Sequence, residues 1–169
     1  MSTNNFLKSK IKKTDFIKVK KKNYNVQVYK PPHGTKIYNF LEDSIDYTDE
    51  TKPYVIIGIL GEEWTMNENK LKQIYNVNIN DITEDPIVIS TKTDENSPKN
   101  YCIHIPLDIK FEILTLFKNI LKVNRDSVPH NNGDYLFCTS DINGNPNIND
   151  KWVVNGMVFD KTYEKISAE

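Results

Sequence analysis

Arginine is all but missing from this 169-residue chain, occurring once at Arg125; cysteine occurs twice, at Cys102 and Cys138, and histidine three times, at His33, His104 and His130. Two widely spaced cysteines exclude a disulfide framework and any of the patterned zinc sites. No histidine has a partner at the spacing of a metalloprotease helix or a catalytic base. The six glycines include no phosphate-binding loop and no nucleophile elbow. No apolar run approaches the ~18 residues needed to cross a bilayer, so no membrane association is expected. The start, Met1-Ser2-Thr3-Asn4-Asn5, lacks the apolar segment of a secretory signal. These shortages point to a reducing, cytoplasmic setting, with no cofactor and no metal implied.

What is present is lysine, asparagine, isoleucine and aromatic side chain, with hydrophobic residues at 38% and aromatics at 11%, enough for a strand-rich core. The bias towards residues with A/T-rich codons points to an A/T-rich genome. The length suits one ordinary domain or two very small ones. A net charge of −1 hides a polarity along the chain. Residues 1–30 carry nine lysines and one aspartate, net +8, whereas the remainder carries 13 basic and 22 acidic residues, net −9. The pattern predicts a flexible basic arm over residues 1–17 on an acidic body.

Much of the stretch from Gly133 to Tyr163 occurs twice. Moving back by 88 positions sets Trp152 on Trp64, Val154 on Met66, Asn155 on Asn67, Phe159 on Leu71 and Tyr163 on Tyr75. Upstream of each tryptophan lies a strand pattern, Tyr54-Val55-Ile56-Ile57 in one copy and Tyr135-Leu136-Phe137-Cys138 in the other. Each tryptophan strand returns as a hairpin partner, and Asn67 is a good N-cap for a following helix over 68–75. The second hairpin turn, Asp141–Asp150, is longer by seven residues and rich in turn formers. The fold class expected is α+β: two related units of β-hairpin plus helix, packed into one compact body, over residues 18–77 and 78–169.

Elsewhere the alternation in Tyr24–Tyr29 predicts a strand stopped by Pro31-Pro32-His33-Gly34. Ile37, Phe40 and Leu41 at i, i+3 and i+4 predict a short amphipathic helix. Pro86–Ile89 and Tyr101–Ile105 read as strands. Leu107, Phe111, Leu114, Phe117 and Leu121 form a stripe behind Pro106, which predicts the chain's longest helix over 107–123. A last helix is expected over Met157–Ile166.

Asn132-Gly133-Asp134-Tyr135-Leu136, followed by Lys151-Trp152-Val153-Val154 and Phe159-Asp160-Lys161-Thr162-Tyr163, resembles a family of small phage and bacterial proteins. That family is named for its Pro-Gly-Asp-Tyr-Gly (PGDYG) motif. Asn132 and Leu136 depart from the motif's proline and final glycine. In the first copy Lys52-Pro53-Tyr54 stands at the motif's place, and Gly61-Glu62-Glu63-Trp64 keeps the family's Gly-Glu turn. The resemblance implies a viral or mobile-element setting and a diverged tandem duplication. It transfers no catalytic residue.

The residues themselves suggest three functions. Trp64 and Trp152, with Tyr54, Tyr135 and Asp134 beside them, are candidates for binding a host protein or a small ligand, as aromatic platforms or as repeated core anchors. Lys10, Lys12, Lys13, Lys20, Lys21 and Lys22 are candidates for phosphate contacts on nucleic acid, or for a solvated arm. Glu62, Glu63, Asp134 and Asp150 are the carboxylates from which a metal-dependent hydrolase or nuclease would be built, or acids that keep hairpin edges polar. Cys102 and His104 alternate on one strand, and Asp141-x-Asn143-x-Asn145 faintly resembles a calcium loop lacking its closing glutamate. The non-enzymatic binding protein is the expectation favoured.

Overall fold

A computed structural model describes residues 15–92, 99–126, 128–129 and 132–166. The described residues fall into two compact units, one of residues 23–92 and one of residues 15–22 with 99–166. The chain opens with strand β1 (Ile17–Lys21). There follow β2 (Asn25–Tyr29), β3 (Lys36–Asn39), β4 (Ser44–Tyr47), β5 (Tyr54–Ile57), β6 (Glu63–Met66), helix α1 (Glu68–Ile74), β7 (Tyr75–Asn76) and β8 (Ile87–Thr91). The remainder is β9 (Asn100–His104), β10 (Phe111–Leu114), β11 (Ile120–Val123), β12 (Tyr135–Ser140), β13 (Pro146–Val154), helix α2 (Gly156–Thr162) and β14 (Tyr163–Lys165). The class is α+β, with strands predominating.

In the unit of residues 23–92 the sheet runs β6-β5-β2-β8-β7, antiparallel throughout. Alternation decides which side chains it buries: Val26 and Val28 point inward while Asn25 and Gln27 stay exposed. Tyr54, Ile56 and Met66 share that face with Val26 and Val28, and Leu71 of α1 closes over them with no exposure. Helix α1 forms where Asn67 accepts the Lys70 amide at 2.8 Å, and it ends at Tyr75, which returns to extended backbone. The ribbon of β3 and β4 is a separate two-stranded sheet.

In the other unit the sheet runs β13-β12-β9-β1-β14, again antiparallel. One layer of core is aromatic: Phe137, Phe159 and Tyr163 with Val19 and Cys102, where the Tyr135 and Phe159 rings stack at 3.7 Å. A second cluster joins Leu136 and Cys138 to Ile113 and Val123 of the β10–β11 ribbon. Asn155 caps α2 by accepting the Met157 amide at 2.9 Å and the Val158 amide at 3.3 Å.

The two sheets agree in register. Ile56 faces Trp64 as Phe137 faces Trp152, and Val28 faces Ile56 as Cys102 faces Phe137. Tyr75 faces Thr91 as Tyr163 faces Lys21. Even the amide after the fourth strand repeats, with Lys92 N–H to Ile74 O and Lys22 N–H to Thr162 O both at 2.8 Å.

Two expectations of secondary structure are corrected. Residues 107–123 are not a helix but the β10–β11 hairpin; its apolar residues also alternate, and Ile113 and Val123 at 1% exposure anchor it. Residues 37–41 are likewise strand β3 and a turn, in which the Asn39 side chain accepts the Leu41 amide at 3.0 Å. Of the arm expected over residues 1–17, residues 1–14 lie outside the described residues, while Phe16 is buried in the core and Ile17 begins β1. In the compact units β1 pairs with β9 and β14, while β8 pairs with β2 and β7.

Candidate functional site

The candidate carboxylates are built into turns and strands rather than into a common site. Glu62 is 6% exposed inside the β5–β6 turn, where its carboxylate accepts the Leu60 amide at 3.1 Å. Burial pushes its acidity weaker than usual, with the amides of Glu62, Leu60 and Ile59 acting against that shift. The same carboxylate occupies the space beside Gly58, where a Cβ would overlap it, so the turn is closed around the acid. Glu63 accepts a hydrogen bond from the Tyr29 hydroxyl at 2.9 Å. Asp134 takes the amides of Asn124 (2.8 Å) and Gly156 (3.3 Å), while Asp150 accepts from the Thr139 hydroxyl at 3.3 Å at the opposite end of the β12–β13 hairpin. Among the described residues no three His, Cys, Asp or Glu side chains gather so as to hold a metal ion.

The aromatic candidates are core or half-core. Trp64 is half-buried against the cluster around Ile56, and Trp152 lies against Phe137 with ring centroids 5.7 Å apart. Tyr54 is 3% exposed, and Tyr135 stacks on Phe159 with His104 tilted against it at 5.1 Å. Cys102 has no exposure, whereas His104 on the same strand is exposed and bonded to the Asn132 carbonyl at 2.9 Å, so the two do not form a ligand pair. Asp141 closes its own loop by accepting the Asn143 and Asn145 amides, both at 2.9 Å.

Of the lysine candidates, Lys10, Lys12 and Lys13 lie outside the described residues. Lys20 pairs with Glu164 at 3.3 Å, Lys21 lies 6.0 Å over the Tyr163 ring, and Lys22 donates to the Asp160 carbonyl at 3.0 Å. All three hold β1 to β14 and α2.

Burial pushes the Cys102 thiol up to about 12, and burial followed by its bond to Glu63 pushes the Tyr29 hydroxyl up to about 12. Both are neutral in the fold where the unfolded chain ionises nearer 9.0 and 10.0. Their contribution is therefore complete below those ordinary values and is lost as pH rises through them towards the folded values. The urea midpoint is expected to fall steadily between about pH 8 and 11. Over the same range neither thiol of the native protein should react with an aromatic disulfide reagent, and both should react once unfolded.

The residues that sequence reading missed sit at the tip of the β10–β11 hairpin. Thr115 closes the loop: its amide donates to Asn119 O at 2.8 Å, its carbonyl accepts the Lys118 amide at 3.0 Å, and its hydroxyl accepts the Asn119 amide at 3.1 Å. Lys118 takes a left-handed conformation at φ 68°, as three-residue hairpin loops require. The result leaves Leu114 (48%), Leu116 (53%), Phe117 (80%) and Ile120 (64%) exposed within seven residues. The corresponding ribbon, β3–β4, exposes Tyr38, Ile45 and Tyr47. The signal in the sequence was the apolar stripe itself, assigned to the wrong periodicity.

No protein-family model matches the chain, and no curated protein or solved structure matches it. The reading of function therefore stands on this geometry. Among the described residues no helix is long and apolar enough to cross a membrane.

Proposed function

We propose that this chain is a non-enzymatic binding protein of viral or phage-derived origin, built from two diverged copies of one PGDYG-like unit, which engages a host protein through the tip of the β10–β11 hairpin. One observation carries the reading: a tip closed by the Thr115 hydrogen bonds presents Leu114, Leu116, Phe117 and Ile120 to solvent. Scattered apolar side chains on a surface are ordinary, whereas neighbouring exposed ones around a phenylalanine match the apolar, aromatic-enriched core of an interaction surface. The hydrophobic stem of the ribbon, Ile113 and Val123, is buried, which anchors the hairpin that carries the tip. The two-copy part of the reading is supported by the shared registers, and the viral part by the resemblance around Gly133–Tyr163.

A photo-crosslinking side chain placed at Phe117 tests the site, with one at Ile142, which is fully exposed on the β12–β13 turn, as the control. Phe117 should capture a defined protein from host extract that the Ile142 position does not. The double variant Leu116→Ser with Phe117→Ser should then bind that purified protein at least tenfold more weakly, about 1.4 kcal/mol, with an unchanged melting temperature. Equal affinity of the variant, tip-dependent binding to lipid vesicles instead of protein, or turnover of nucleotides by the purified chain would overturn the reading.

A further inference from the structure

Strand order along the chain and strand order in the sheets do not agree, and the disagreement is reciprocal. Along the chain, β1 precedes β2–β7 as β8 precedes β9–β14. Residues at matched register positions are offset by 70 for β1 and β8 (Lys20 and Ser90), 74 for β2 and β9 (Val28 and Cys102), 81 for β5 and β12 (Ile56 and Phe137) and 88 for β6 and β13 (Trp64 and Trp152). The offsets only grow, as insertions in connecting loops would make them. By this register each repeat consists of a first strand followed by the remaining strands and a helix. Yet the first strand of each repeat lies in the other repeat's sheet, in the same place, next to the last strand.

The changeover is sharp. Lys22 N–H bonds to Thr162 O in one sheet's unit, and two residues later Tyr24 N–H bonds to Thr91 Oγ1 in the other's. Exchanging equivalent strands preserves every ladder hydrogen bond and alters only the connection, which is why exchange between copies is a low-cost route to association. We propose that this chain is the covalent form of a strand-exchanged pair, in which each copy of the unit presents the gap between its second and last strands to the first strand of a second copy. The partner this gap fits is thus another unit of the same kind. The inference rests on the two-copy part of the reading above and not on its partner-binding part.

The test uses the full-length chain with a protease site introduced between Glu84 and Asp85, in the connection joining β7 to β8. With exchange, Lys20 lies opposite Glu164, on the other side of the cut. Without exchange β1 would take the place of β8, and Lys20 would lie where Ser90 does, opposite Asn76 on its own side of the cut. Lys20→Cys with Glu164→Cys, cleaved and oxidised, should migrate as one band on a denaturing gel and split into two fragments on reduction. Lys20→Cys with Asn76→Cys should give two fragments with or without reductant. The cleaved protein without added cysteines should keep, plus one water, the mass of its uncleaved form in native mass spectrometry. Absence of the Lys20–Glu164 link, formation of a Lys20–Asn76 link, or separation of the halves under native conditions overturns the proposal. A tip variant that fails to bind leaves these outcomes unchanged, so the two proposals fail separately.

Discussion

Asn124→Ala is expected to destabilise the chain by about 4 kcal/mol, from several buried groups left without partners at ~1–3 kcal/mol each. Asn124 has no exposure and sits at φ 54°, a conformation that asparagine tolerates and alanine does not. Its two amide hydrogens reach three carbonyls, Ile105 (3.2 Å), Pro106 (2.8 Å) and Ile109 (2.8 Å), one hydrogen being shared, and its oxygen accepts the Asp134 amide at 2.7 Å. One side chain therefore joins the end of β11 to the chain leaving β9 and to the start of β12. Urea unfolding of Asn124→Ala and Asn124→Gly separates the two causes. Glycine relieves the backbone cost but not the lost hydrogen bonds, so Asn124→Gly should recover only about 1 kcal/mol of the loss. A full recovery would mean that the backbone angle alone selects asparagine. In the other unit Thr48 has the corresponding task, its hydroxyl donating to Pro32 O at 2.9 Å, as Asn124 serves Pro106.

Neither Asn124 nor Thr48 was legible in the sequence, because a polar residue after a strand reads as a loop. Local signals did better. Asn67 as a cap and the Tyr-to-Trp hairpins were readable because capping and alternation are decided within a few residues, whereas the helix ends were not: the helices expected over 68–75 and 157–166 stop at Ile74 and Thr162, and Tyr75 and Tyr163 return to strand. The β10–β11 hairpin was not. Its turn, Thr115–Asn119, contains neither glycine nor proline, so the apolar residues on either side ran together into one helical stripe. Ile109, Ile113, Thr115, Ile120 and Val123 were the contrary evidence, being β-branched where a helix would favour straight chains. The hairpin tip shared this fate, because Phe117 reads as one more position of a helical stripe; Trp64 and Trp152 stand out in the sequence and pack against the two cores. The places of β1 beside β14 and of β8 beside β7 lay beyond any local pattern, since the neighbour of a strand in its sheet is a property of the whole topology.

Gly133→Ala is expected to cost about 3 kcal/mol, combining a disfavoured backbone region with a steric overlap. Gly133 has φ 124°, and a Cβ built there would stand 2.2 Å from the Ile105 carbonyl oxygen and 3.2 Å from the Leu107 amide. Backbone atoms cannot rotate aside as a side chain would. The oxygen in question also accepts from Asn124, and the Ile105 amide donates to Asp134 O at 2.9 Å, so the methyl would pry apart the same junction that Asn124 closes. Gly144→Ala is the comparison that isolates the overlap. It too has a positive φ, 81°, but nothing lies within 4 Å of its added methyl, and it should cost only about 1 kcal/mol. Equal losses in the two variants would assign the glycine of the Gly-Asp-Tyr stretch to its backbone angle. A larger loss at Gly133, and Gly133→Ala combined with Asn124→Ala costing less than the two single losses together, would assign it to the close approach of the β9 exit and the β12 entry.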